Sequence, residues 1–597
     1  MRVRRPVAWF VLLVVVMASS APAVDEPAPA PPEPSWRGAV WLDQWRGIRP
    51  SDALRVPEPI TRDEGVQRVT LKEAIGIALE NNPGIAARRL TPAAFATNVL
   101  QSQAQYDPTL SGELDYSRVV TPNPSALNAT AVSVIEDRSA NVHLSKLFRS
   151  STQLQLDFLN DRLDNNASYI SLRPQYEPQL RFSVVQPLLQ DFGWDFSYLV
   201  VRVSEKNADA AIYDYEADLA NFVQRVIIAY WAVVGDREAV EARREAKGLA
   251  DRTVEENEAR VRVGLFAPVA VLEAQADAAR RADELLRTEN DLAVARQELA
   301  QLCYFRPAGT FVPRTLEPAE EATPEDVQPD VDRSLSTALA SRPEIVASSL
   351  RVEGRQYNER VASNGLLPRL DLVGGYGVSG LSGPPQRGKV QFISAVDIGT
   401  VDPATKCTRL AESVYECTRI LPPSPFAGTR SDAYGTNAAH GGLLSGSYDN
   451  YSFGLRLTVP LDNAGARAAH TRSQIELDQA ELTHRELLSN VTLEVRRTVA
   501  DLISSRQRIE AARVARELAE ENLRNQEKRH EVGMATTKDL LDFQQRLTEA
   551  RFGEVTAKFE HNISVAAWRR AQGRLLEHYD IVVEHEGLRG TPWFARF

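Results

Sequence analysis

The sequence predicts a mainly α protein with a membrane β-barrel at one end. Two tandem structural repeats would give a long antiparallel α-helical barrel and a β-barrel whose strands are shared between chains. Three observations predict this. "IALENNPGIAARRL" (77–90) returns as "TALASRPEIVASSL" (337–350), and the register then holds: Asn98 meets Asn358, Pro108 meets Pro368, and Tyr116 meets Tyr376. One glycine turn closes two long helical runs, as "VGLFAPVAVLEAQ" (263–275) and "VGMATTKDLLDFQ" (532–544). Between helices lie segments of apolar–polar alternation, the period of strands.

Composition agrees with an elongated molecule. Charged residues make up 25% and aromatics 7%, with Ala, Glu, Arg and Leu crowding the helical stretches, as in long coiled-coil helices. The net charge of −11, with basic residues interleaved among acidic ones, gives no hint of nucleic acid, and none is expected as a partner. Three cysteines are too few for a disulfide scaffold.

Residues 1–23 form a secretory signal peptide. Arg2, Arg4 and Arg5 precede "VAWFVLLVVVM", and Ala21-Pro22-Ala23 supplies the cleavage site. No later stretch reads as long and apolar enough to cross a membrane as a helix. The first cysteine is Cys303, so cleavage after Ala23 without an acyl chain is expected. Residues 24–68, with "EPAPAPPEPS", read as a Pro-rich tether.

The first repeat spans 69–306, with a helix over 69–105, strands within 108–187 and a long helical hairpin over 191–303. A linker (307–330) leads to the second repeat, 331–573. Its helix covers 331–366, its strands lie at about 368–380 and 450–460, and its long hairpin covers 462–572. Residues 574–597 read as a solvated C-terminal extension. In "TLSGELDYS", Leu110, Gly112, Leu114 and Tyr116 share one side; Ser111, Glu113, Asp115 and Ser117 share the other. "QLDFLN", "QLRFSV", "RLDLVGGY" and "FGLRLTV" alternate likewise. The sequence leaves open whether "NVHLSKLFRSSTQLQLDFLND" adds a spanning hairpin, making six strands instead of four.

Lengths support the helical barrel. A proline-free run of roughly 70 residues spans on the order of 100 Å, and each returning helix about half that. Two half-length helices set end to end therefore match one full-length helix. Leu488, Val491, Val495, Thr498, Leu502 and Ile509 follow the three-four spacing of a coiled-coil seam. Strands in lipid need every amide paired, so the alternating segments close into a barrel with a lipid face and a wet lumen. Two strands per repeat cannot close one, so chains must share it. An ordinary two-sheet domain capping a stalk is the alternative.

With these features the chain resembles the TolC family of outer-membrane efflux and secretion ducts across nearly all of the mature sequence. The residues that carry the resemblance are the repeat, the "QPLLQDFG" and "VPLDNAG" strand-to-helix passages, and the paired "VGL" and "VGM" turns. The resemblance implies a homotrimer with a shared barrel in the outer membrane, in contact with its lipid, and a helical tunnel through the periplasm. It also implies a periplasmic adaptor protein and an inner-membrane transporter as partners. The function implied is a passive exit duct for tripartite efflux or type I secretion. A trimeric coiled-coil stalk or adhesin anchored in the outer membrane is the rival.

Gly264 and Gly533 read as C-terminal helix stops, with Pro268 and Thr536 or Thr537 opening the next helices. Val263, Gly264, Leu265, Val532, Gly533 and Met534 would form the rim at which the adaptor docks, since exposed apolar groups on a rim suggest a partner. Asp539 and Asp542 share a helix face and match two acidic positions of the family's "VDVLDA"-type pattern, which narrow the periplasmic mouth. Helix-start acids favoured by the macrodipole are the plainer reading. Ala535, His530 and Ala270 depart from the family pattern, so its closing ion pairs do not carry over. Cys407 and Cys417, in the loop placed at the cell surface, are expected to form a disulfide, while Cys303 stays reduced.

No enzyme chemistry stands out. Gly375, Gly377 and Gly380 spell G-x-G-x-x-G, but "LSGPPQRG" follows where a dinucleotide site needs a helix. His530-Glu531 lacks the second histidine of a zinc helix, and His578 with His585 reads as solvated surface. No cofactor or metal is expected.

Overall fold

The computed structural model describes residues 67–122, 132–167, 170, 172–193, 196–303, 316–321, 323–384, 389–392, 405–411, 414–419, 435–446, 448–532 and 534–583, with 389–392, 405–411 and 414–419 as backbone alone. The signal peptide, nearly all of the tether, Gly533, His585 and the side chains of Cys407 and Cys417 lie outside the described residues.

The described residues begin with β1 (Gln67–Val69), α1 (Leu71–Asn81) and α2 (Pro83–Gln103), then run through four strands: β2 (Thr109–Pro122), β3 (Val132–Leu147), β4 (Gln153–Asn165) and β5 (Gln175–Pro187). A helical hairpin follows, α3 (Leu199–Arg262) and α4 (Val269–Cys303). After β6 (Leu316–Pro318) come α5 (Val331–Ser341), α6 (Pro343–Asn364) and β7 (Arg369–Ser379). Three short strands, β8 (Lys389–Phe392), β9 (Thr405–Ala411) and β10 (Val414–Arg419), precede α7 (Thr436–Ser445) and β11 (Asp449–Thr458). A second hairpin, α8 (Ala464–Glu531) and α9 (Thr537–Ala571), leads to the short α10 (Leu575–His578).

The two leading helices are each broken once, where the sequence reading has them continuous. Pro83 and Pro343 lack the N–H that a continuing helix needs. At the first break Asn82 starts the next helix, accepting hydrogen bonds from Gly84 N at 2.9 Å and Ile85 N at 3.3 Å. Thr70 and Glu73 cap α1 reciprocally, at 3.3 and 2.9 Å.

Helix α3 has 64 residues and α8 has 68, about 100 Å each at a rise of 1.5 Å; α4 and α9 have 35 each, about half that. Along α3, α2 and α6 pack toward the strands, and α4 and α9 pack toward the hairpin turns. Helix α8 lies against α6 and α9. The result is four columns: a half-length pair, a long helix, a half-length pair and a long helix.

One 18-residue window of α3 reaches a mean hydropathy of 1.2, long and apolar enough to cross a membrane, contrary to the sequence reading. Its apolar side chains are core instead: Phe222, Val223, Val226, Ile227, Tyr230, Val233 and Val234 are buried. They pack under a feature absent from the sequence reading, a parallel pair of three-residue strands, β1 with β6. Val69 and Leu316 are buried there, and the Tyr230 hydroxyl donates to Val69 O at 3.1 Å. The start of the C-terminal segment, read as solvated, joins this core through Leu575 and Leu576. Cys303 is a buried free thiol, its pKa pushed up to about 12 by burial.

The six-stranded sheet is antiparallel throughout, in the order β11-β7-β5-β4-β3-β2. The segment left open by the sequence is a hairpin, β3 and β4, so the chain contributes six strands, four before α3 and two after α6.

Candidate functional site

Two ends of the molecule carry features that its own core does not use. At the far end of the helices, α3 stops in a Schellman motif. Gly264 adopts φ +81°, its N–H donates to Val261 O at 3.0 Å, and Leu265 N donates to Arg260 O at 2.8 Å. The second turn makes the corresponding bond, Met534 N to Arg529 O at 2.8 Å. Val263, Leu265, Val532 and Met534 are 70%, 72%, 70% and 74% exposed.

The two turns are tied together. His530 is buried; its Nδ1 lies 3.1 Å from Ala535 O and its Nε2 lies 2.8 Å from Arg260 Nη1. Arginine has no acceptor, so Nε2 accepts from Arg260 and the ring proton sits on Nδ1, donated to Ala535 O. Phe266 meets the imidazole edge-on at 5.5 Å and lies 5.2 Å beneath the Arg260 guanidinium. Sequence reasoning noticed His530 and Ala535 as departures from a pattern, set His530 aside as a zinc ligand, and missed Arg260 and Phe266. Their proximity depends on two hairpins meeting, which local spacing does not encode.

Just inside the second turn the two acids separate in role. Asp539 completes a capping box with Thr536, accepting from Thr536 N at 3.0 Å and Thr536 Oγ1 at 2.7 Å. The Thr536 hydroxyl and backbone bonds hold its carboxyl below the usual range. Asp542, one turn on, is exposed on the same face, while Leu540, Leu541 and Gln544 are buried on the other. Behind them Arg281 and Asp277 form a buried pair at 2.6 Å. Arg281 also donates to Thr548 Oγ1 at 3.4 Å and Leu541 O at 3.5 Å, joining α4 to α9.

At the other end the sheet has two unlike faces, and the register aligns them across all six strands. Leu114, Val142, Leu156, Phe158, Leu180, Phe182, Leu372, Tyr376, Phe453 and Leu455 share one face with their cross-strand neighbours. The other face carries Glu113, Asn141, Gln155, Asp157, Arg181, Asp371 and Ser452. Asp157 and Asp371 are buried on that crowded polar side, Asp157 bonded to His143 at 2.7 Å and Asp371 to Arg369 at 2.9 Å. On the apolar side Leu114 of β2 is 86% and Phe453 of β11 80% exposed, while α7 lies over part of β4 and β5, His440 stacking on Phe158 at 5.9 Å. Both edge strands, β2 and β11, are exposed along nearly their whole length. No group of three or more His, Cys, Asp or Glu among the described residues is placed to hold a metal ion. Gly375 and Gly377 lie within β7, against Ser452 and Asn450 of β11, so the glycine pattern belongs to strand packing. His578 packs edge-on against Tyr579 at 4.9 Å, and burial holds its pKa down.

The family model described as "Outer membrane efflux protein" matches residues 199–303 and 426–574. Outer membrane protein TolC of Vibrio cholerae is 24% identical over 405 residues, 66% of this chain and 76% of that protein. Among solved structures, the Campylobacter jejuni CmeC outer membrane channel aligns with a TM-score of 0.57 at 16% identity, covering 87% of this chain and 91% of that one. The outer membrane protein VceC from Vibrio cholerae aligns with a TM-score of 0.56 at 17% identity, covering 84% of this chain and 96% of that one. At such identity these likenesses establish the fold.

Proposed function

We propose, from the premise that this chain belongs to the TolC family of outer membrane efflux proteins, that it is the passive exit duct of a tripartite efflux or type I secretion system. It is an outer-membrane channel with its helices in the periplasm, not an enzyme. In this reading one unit, duplicated over 69–306 and 331–573, supplies both halves of the chain. Three copies close the two-faced sheet into a barrel, apolar face to lipid and polar face to water. The helical columns close into a tunnel below it.

The carrying observation is the pairing of opposite ends: a sheet with one apolar face, exposed at its edge strands, and two unpaired edges, and two matched turns with exposed apolar tips. Open edges cannot face lipid, because unpaired amides there cost several kcal/mol each. Val263, Gly264, Leu265, Val532, Gly533 and Met534 form the rim that meets the adaptor, which couples the duct to an inner-membrane transporter. Asp539 and Asp542 give six carboxylates around the trimer axis, a cation-favouring constriction. Cys407 and Cys417 form a disulfide; the backbone register that sets them directly opposite in β9 and β10 supports it.

Reconstitution of the purified trimer into planar bilayers tests the reading. A duct gives discrete, water-filled conductance with cation preference. A stalk or adhesin gives none, and that outcome would overturn the proposal.

A further inference from the structure

On the apolar face of the sheet one row stands apart. Tyr116 of β2 is opposite Arg138 of β3, Arg138 is opposite Arg162 of β4, and Arg162 is opposite Tyr176 of β5. Four adjacent strands thus present Tyr–Arg–Arg–Tyr at one level. The Arg138 guanidinium lies 5.4 Å over the Tyr116 ring. Among the described residues neither Arg138 nor Arg162 has a carboxylate partner, whereas the arginines of the next level outward are neutralised. Arg118 pairs with Glu136 at 3.3 Å and Arg173 with Asp164 at 2.6 Å. Two like charges set directly opposite destabilise a sheet unless something offsets them.

The level of the row says what could offset them. Lys146, opposite Leu154, bounds the apolar stretch of β3 and β4 on the helical side, eight residues from Arg138 and Arg162. At about 3.4 Å per residue and a tilt near 40°, the intervening stretch rises roughly 20 Å, close to the ~25 Å apolar band of a membrane barrel. The row therefore sits at the outer-leaflet interface, where tyrosines anchor and lipid phosphates lie. Two guanidiniums side by side present paired N–H forks to a single phosphate.

We propose that Tyr116, Arg138, Arg162 and Tyr176 form a binding site for the phosphate group of an outer-leaflet lipid, one per chain. The proposal rests on the membrane reading above. The phosphate bridges the two arginines, and the tyrosines flank its sugar or glycerol. The site would hold an annular lipid to the barrel beside the β3–β4 hairpin.

The test uses the full mature chain, purified as a trimer and stripped of lipid, with bis-phosphorylated lipid A as probe and native mass spectrometry as readout. Wild type is expected to retain the probe at least ten times better than R138Q/R162Q, and dephosphorylated lipid A is expected to bind both poorly. R118Q, which alters a paired arginine, is expected to retain the probe as wild type does. Equal retention by wild type and the double variant would overturn the site. Full displacement by millimolar inorganic phosphate would overturn its assignment to a lipid. Should the glutamine variant misfold, R138K/R162K keeps the charge but loses the forks; a several-fold loss supports the site and no loss refutes it. Bilayer conductance of the same preparations separates the two readings. A wild type that does not conduct refutes the duct, whereas conducting variants with undiminished lipid retention refute only the lipid site.

Discussion

At the scale of single residues, the helical end contains groups whose roles pull apart under substitution. Arg281 is buried with Asp277, and removing one partner of such a pair strands a charge. R281M is expected to cost on the order of 3 kcal/mol, the lower end of the usual range because Arg280 also reaches Asp277. The double variant D277L/R281M is expected to recover most of it. Thermal midpoints of wild type, R281M, D277L and D277L/R281M in detergent check this, and a double loss equal to the sum of the two single losses would refute the pairing. Asp539 and Asp542 separate by a different readout. Because its partner Thr536 depresses the Asp539 pKa, its contribution to the helix start is complete above the ordinary carboxylate pKa of ~4 and is lost as pH falls through its own lower value. Amide exchange over 536–540 is therefore expected to quicken only in strong acid. D542A is expected to weaken cation selectivity in bilayers while leaving that exchange unchanged; T536A is expected to do the reverse. The shared face of the two acids was legible from their spacing. The capping box was not read: the sequence left the helix start between Thr536 and Thr537, and the motif's usual third residue is Glu or Gln, whereas Asp539 fills that place here.

Among the elements, the two hairpin turns show what local chemistry can specify. Gly264 holds φ +81° with nothing near its Cα to object to a side chain, so strain alone decides substitution there. G264V is expected to cost about 1–2 kcal/mol from the left-handed backbone and to abolish export in cells while the channel still conducts in bilayers. Loss of conductance as well would place the defect in the fold rather than in docking. Turn, cap and helix length were readable because each depends on neighbours in sequence. The β1–β6 pair was not, since three-residue strands carry too little periodicity. Their pairing joins residues far apart in the chain, and Tyr230 anchors it from a third element. The link from Arg260 through His530 to Ala535 escaped for the same reason.

For the whole molecule, the proposed shared barrel requires that β2 of one copy meet β11 of the next. Single cysteines scanned along both strands are expected to cross-link only between chains, giving covalent trimers on denaturing gels. Cross-links within one chain would refute a shared barrel. The alternation that predicted strands was visible in the sequence, yet the strand count was not. In 141–161 polar residues interrupt the apolar face, and only the register of β3 with β4 restores it. That count has a geometric consequence. Six strands about 4.8 Å apart and tilted near 40° occupy an arc of about 38 Å. Four helical columns spaced about 9 Å apart occupy about 36 Å. A four-stranded sheet would have covered only about 25 Å and forced the wall to pinch inward at the membrane. With six, each chain contributes nearly equal lengths of perimeter above and below the strand-to-helix passage. In the proposed ring of three such chains, protein tube would pass to membrane pore without a funnel, and any constriction would have to come from the side chains at the far tip.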